Sequence, residues 1–129
     1  MLVEKALKMI QAGHAKVKEL DIAVSVAVVD KGGCLIGFGR MDRSCPMSVD
    51  IAMHRAYTVA TFQMPTNQLS GVAGQRWFQS MIVSIQGKIM VVAGGLPVLD
   101  SPHMVGAVGV SGGIEEQDQE CYRAAVAAY

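Results

Sequence analysis

Eight residues, Ile22-Ala23-Val24-Ser25-Val26-Ala27-Val28-Val29, constrain this chain more than any others. They are its longest apolar run, and Asp30 followed by Lys31-Gly32-Gly33 ends it. A membrane span needs about 18–20 apolar residues, so the run has the length of a strand instead. Alternate side chains of a strand point to opposite faces of its sheet. Both faces are apolar here except at Ser25, so the strand is expected at the centre of a sheet, covered on both sides. Glycine reaches φ > 0 without a Cβ clash, so Gly32-Gly33 predicts a turn. Cys34 to Met41 then reads as the returning strand of a hairpin.

Helical periodicity brackets this hairpin. Residues 2–20 read as an amphipathic helix, with Leu2, Val3, Ala6, Leu7, Met9, Ile10, Gly13, Val17 and Leu20 on one broad arc. After the loop Asp42–Pro46, with Ser44 as an expected N-cap, a helix is predicted from about Met47 to Phe62. Its small face is Val49, Ala52, Met53, Ala56, Val59 and Ala60. Pro65-Thr66 breaks it, and Thr66 opens a short turn. Residues 75–80 are ambiguous, Ile82 to Ile85 reads as a strand or extended loop, and Lys88 to Ala93 as a strand. Gly94 to Pro97 reads as a turn or loop, Val98-Leu99 as a short extended piece, and Asp100-Ser101-Pro102 as a turn. His103 to Val110 reads as a strand, and residues 115–128 as a last helix with Glu115, Glu116 and Asp118 at its start. The order is α-ββ-α, then ββ(β)-α, in a single domain over residues 1–129.

Composition narrows the function classes. Lys+Arg and Asp+Glu number 11 each, so the net charge is zero and no basic stripe marks a nucleic-acid binder. Half of the residues are hydrophobic, which excludes disorder. The N-terminus lacks the apolar core of a signal peptide, so a cytoplasmic protein without a membrane segment is expected. Ala, Val and Gly make up 46 of the 129 residues and charged types only 17%, a pattern that suggests surface buried against other subunits. Cys34, Cys45 and Cys121 have no CxxC spacing, which argues against disulfides or a zinc site. They read as small apolar residues kept reduced. Gly109-Val110-Ser111-Gly112-Gly113 matches G-x-S-x-G, but no histidine follows the serine, so a hydrolase triad is excluded. Nor is it a phosphate cradle, since Glu115 and Glu116 would repel a phosphate at that helix end.

The ordered set Val28-Val29-Asp30-x-Gly32-Gly33, Arg40-Met41-Asp42, Ala52-x-x-Arg55-Ala56-Tyr57-Thr58, Pro65-Thr66, Gly94-Gly95-x-Pro97-Val98, Gly106-Ala107-Val108-Gly109-Val110-Ser111-Gly112-Gly113 and Asp118 spans nearly the whole chain. It resembles the GlcG/HbpS/PduO C-terminal family of small haem-binding proteins. Two places depart from the family pattern. Arg43-Ser44-Cys45-Pro46 replaces a usual Gly-Ala loop, and Arg55 stands where a lysine is common. The resemblance implies an α+β, profilin-like fold, an antiparallel sheet flanked by helices on both sides. It also implies homo-oligomers, from dimers to octamers, and an accessory role in diol, glycerol or glycolate metabolism. Haem would be the cofactor. The alternatives are a ligand-free structural or chaperone-like partner of a corrinoid-dependent enzyme or its reactivation system, and a haem-degrading enzyme. No acid–base pair or activated nucleophile stands at recognisable spacing for the last.

His14 sits at the margin of the apolar arc, beside Leu7, Ile10 and Val17. An imidazole so placed can ligate haem iron while the porphyrin lies on aliphatic neighbours. The resemblance makes it the match of an axial histidine on the family's first helix. Its other reading is a half-buried histidine donating to a backbone carbonyl. Arg40 and Arg43 fit haem propionates, since guanidinium matches carboxylate geometry, or else they pair with Asp42 or a second subunit. His54 reads as a surface or interface residue, His103 as the edge of a loop and Asp30 as a turn residue. The methionines, Met41 among them, could offer a thioether but more often fill gaps.

Overall fold

In the computed structural model, which describes residues 1–129, the apolar run becomes β1 (Ser25–Asp30). It occupies an inner position of a four-stranded antiparallel sheet. The strand order is β2-β1-β4-β3, with β2 at Leu35–Arg40, β3 at Gly95–Asp100 and β4 at His103–Ser111. Ala27 is flanked by Phe38 of β2 and Gly109 of β4. The hairpin turn is fixed by Asp30, whose Oδ1 accepts the N–H groups of Gly32 and Cys34 at 2.8 and 3.0 Å. Four helices complete the chain: α1 (Val3–Lys18), α2 (Ser48–Phe62), α3 (Arg76–Ser84) and α4 (Glu115–Ala127). None is long and apolar enough to cross a membrane.

Both faces of the sheet are covered, as the apolar run requires. On one, Val24, Val26, Val28, Val108 and Val110 pack under Ala6, Met9, Ile10 and Val17 of α1 and Cys121, Tyr122 and Ala125 of α4. On the other, Ala27, Val29 and Ala107 meet Ala52, Ala56, Val59 and Ala60 of α2. The second contact is a close one. A Cβ at Gly109 would lie 2.1 Å from the carbonyl oxygen of Ala52, so the helix backbone rests directly on β4. Small residues thus serve the interior of the fold. The α1 arc is wider than the stripe it buries, for Leu2, Val3, Leu7 and Leu20 remain exposed.

Ser25, the polar exception in β1, is fully buried, and its hydroxyl shares a hydrogen bond of 2.8 Å with Ser48. Ser48 in turn bonds Ser44 at 2.9 Å and the carbonyl of Cys45. Ser44 therefore belongs to a buried hydroxyl cluster below the start of α2 and is not the N-cap, a place taken by Met47.

Three expectations in the stretch 75–100 are corrected. Ile82 to Ile85 is not extended; it forms the end of α3, closed by Gln86 at φ 62. The N–H of Gly87 bonds the carbonyl of Ile82 and that of Gln86 bonds Val83, a Schellman closure. Lys88 to Ala93 pairs with no strand, and the N–H of Met90 is satisfied by the Thr58 hydroxyl at 2.8 Å. The outer place beside β4 is filled by Gly95–Asp100, the segment expected to turn at Gly94–Pro97. Pro97 is tolerated there because an edge strand does not need every N–H.

Candidate functional site

α1 crosses β2 where that strand has no side chains to obstruct it, at Gly37 and Gly39. Cβ atoms there would stand 3.1 and 2.8 Å from Ile10, and at Gly39 also 2.8 Å from Cε1 of His14. This places the His14 ring against the strand, where Nε2 donates to the carbonyl of Gly39 at 3.1 Å. A carbonyl only accepts, so the proton is on Nε2 and the lone pair on Nδ1. Nδ1 has no partner within the chain and is not among the buried unpartnered atoms, so it reaches solvent. Burial pushes the pKa of His14 below its ordinary 6.5; the Gly39 bond opposes this and Lys18 adds to it. A neutral imidazole held through its other nitrogen by a backbone carbonyl is the state in which histidine binds metal.

His14 opens onto a cleft of about 680 Å³ between the end of α1 and the loop after β2. Arg40, Met41, Asp42 and Arg43 line it together with Lys18 and Asp21, and Ala15, Ile22 and Ala23 supply apolar wall. All three residues singled out for cofactor binding, His14, Arg40 and Arg43, are thus brought to one place. Arg40 does not pair with Asp42. Its Nη1 donates to the carbonyl of Ser44 at 2.7 Å, and neither Arg40 nor Arg43 forms an ion pair. Arg43 holds the loop in a left-handed turn at φ 69. Met41 is no free thioether, because its sulfur accepts the N–H of Val24 at 3.4 Å. The site therefore offers one neutral imidazole, guanidinium groups held in no ion pair, the carboxylates of Asp21 and Asp42, and a short aliphatic wall. This donor set fits haem: a nitrogen for iron, charges for propionates, apolar surface for the ring.

The remaining candidates fall elsewhere. His103 is exposed at the start of β4. His54 is half-buried and lines a separate, smaller recess. No group of three metal-ligating side chains exists. Cys121 is buried, and burial pushes its thiol up to about 12, while Cys34 and Cys45 are exposed. A buried ion pair went unread in the sequence. Arg55 of α2 passes the end of β3 at Gly94 and donates from Nη1 to the Val110 carbonyl at 2.6 Å and to Asp118 of α4 at 3.3 Å. Burial raises the pKa of Asp118, opposed by the Gly113 N–H and by Arg55. Burial lowers that of Arg55 from 12.5, which still leaves it charged. The available signal was one arginine among the small residues of α2.

An antiparallel sheet with helices on both faces and a histidine-headed cleft at its edge defines a small α+β domain. The family model described as "Haem degrading protein HbpS-like" matches residues 2–127. The chain belongs to this HbpS-like family. It is 37% identical over 115 residues to an uncharacterised 15.0 kDa protein of the dhaT-dhaS intergenic region of Citrobacter freundii, covering 88% of this chain and 81% of that one. It is 28% identical to the corrinoid adenosyltransferase PduO of the same organism over 92% of this chain but only 36% of PduO. Among solved structures, ORFY of Klebsiella pneumoniae superposes with a TM-score of 0.92 at 31% identity, covering 99% of this chain and 89% of ORFY. The haem complex of PduOC superposes with a TM-score of 0.88 at 26% identity, covering 98% and 92%.

Proposed function

We propose that this chain is a haem-binding (or related tetrapyrrole-binding) accessory protein that assembles into homo-oligomers in the cytoplasm. The observation that carries the reading is the convergence of His14, Arg40 and Arg43 on one cleft, with Nδ1 of His14 open to solvent. Its volume, about 680 Å³, falls within the range of cofactor sites. His14 would hold the iron, and Arg40 and Arg43 the propionates. Haem bound there supplies a redox-active iron centre. The chain's own part is to keep His14 neutral and oriented through Gly39, to balance propionate charge, and to cover one side of the ring with Ala15, Ile22 and Ala23. The haem complex of the neighbour PduOC supports the ligand class.

Titration of the purified protein with haemin tests the reading. A saturable shift of the Soret band is expected, and His14→Ala should abolish the shifted band. A wild-type spectrum equal to that of free haemin would overturn the ligand, and an unaltered band in the variant would overturn the role of His14.

A second reading, a ligand-free partner of a corrinoid-dependent enzyme, is favoured by α3. Trp77 and Val83 on this helix are 58% and 78% exposed, and Phe78 is its one buried residue. The match to a corrinoid adenosyltransferase suggests the kind of partner for diol or glycerol metabolism. Co-purification with such an enzyme that survives His14→Ala and fails with Trp77→Ser would support it.

A further inference from the structure

A second recess lies on the opposite side of the hairpin from the His14 cleft. Its floor is Val29 and Leu35, which pair across β1 and β2, and Met53 of α2. Tyr57 closes one end, its ring seated on Gly33, where a Cβ would lie 2.9 Å from Cδ2. Gly33 has φ 84, so both the turn and the ring contact require glycine there. The Met90 N–H bond to the Thr58 hydroxyl ties the next segment to α2 and keeps Lys88 at the rim.

The polar side chains of this recess can all donate a hydrogen bond. His54, Tyr57 and Lys88 each carry a donor, and none makes a side-chain hydrogen bond or ion pair within the chain. No carboxylate lines the space, and Asp30, nearby in the turn, spends Oδ1 on two backbone N–H groups. An apolar floor beneath three unspent donors, one of them a fixed positive charge, is complementary to an anion with a hydrophobic body. The volume, about 280 Å³, admits a small molecule and no tetrapyrrole.

We propose that this recess is a binding site for a small organic monocarboxylate, its apolar body on Val29, Leu35 and Met53 and its carboxylate on Lys88 and Tyr57. The site is independent of the His14 cleft and of what that cleft binds. The full chain is titrated by NMR with sodium benzoate, with sodium butanoate, and with benzyl alcohol as a neutral counterpart. Saturable shifts are expected at the His54 and Tyr57 rings, with His14 unmoved. Benzoate or butanoate should bind about tenfold more tightly than benzyl alcohol, and the stronger of the two identifies an aromatic or an aliphatic body. Lys88→Met lies on the surface and should remove that advantage while leaving benzyl alcohol binding unchanged. Absence of saturable shifts, shifts centred on His14, or equal carboxylate affinity in Lys88→Met would each overturn the proposal.

Discussion

Arginine is used in two opposite ways on this small chain. Arg55 is buried, and Nη1 is committed to Val110 and Asp118. Arg40 and Arg43 stand at an open cleft and form no ion pair, although Asp21 and Asp42 line the same space. A buried charge must be paired within the fold, whereas an exposed one can wait for a ligand. The contrast separates the residue that fastens the structure from those available for binding.

Removing one half of the buried pair should produce the largest effect. Asp118→Ala leaves Arg55 charged and uncompensated, a loss of about 3–5 kcal/mol. Urea unfolding measures it, and the double variant Arg55→Met/Asp118→Leu should regain most of the loss. If the double variant is as unstable as the single one, the pair is not the source. At the cleft, stability should change little and binding much. His14→Ala should weaken haemin by more than about 100-fold, read from the Soret titration. Replacing both Arg40 and Arg43 by Met should weaken it by about tenfold. Equal haemin affinity in that double variant would return these arginines to the class of idle surface charges.

The smallest effect concerns pH. The pKa of His14 in the fold lies below 6.5, its value in the unfolded chain. Between the two values the unfolded chain holds more protons, so the contribution of a neutral His14 is complete above pH 6.5 and is lost as the pH falls below it. Unfolding curves at about pH 7.5 and about pH 5.5 should therefore diverge more for the wild type than for His14→Gln. Parallel losses in the two proteins would show that other groups set the acid response.

Much of this was legible from the hairpin outward. The run Ile22–Val29 announced an inner strand because its apolar residues alternate onto two faces, and two cores do meet there. Asp30 read correctly as a turn residue, while the cleft residues were singled out with the help of the family resemblance, His14 at an arc margin, Arg40 at the end of a strand and Arg43 in the loop after it. The stretch 75–100 was not legible, for a physical reason. Ile82, Val83, Ile89, Val91 and Val92 have strand propensity, but the sheet had one outer place left, and pairing with β4 gave it to Gly95–Asp100. The Gln86-Gly87 closure was a readable helix stop that the β-branched run concealed. The Arg55–Asp118 pair was illegible because its partners are 63 residues apart and meet only when α2 and α4 dock.

The placement of that pair has a consequence for how the molecule comes apart. The sheet separates two apolar layers that share no buried side chain. Arg55 comes from the helix of one layer and Asp118 from a helix of the other, and they are anchored to the end of β4 at Val110 and to the turn after it at Gly113. The ion pair therefore acts as a rivet at the end of the sheet. Peeling either helix away strands a charge in the layer left behind, so the two layers are bound to open as a single cooperative unit.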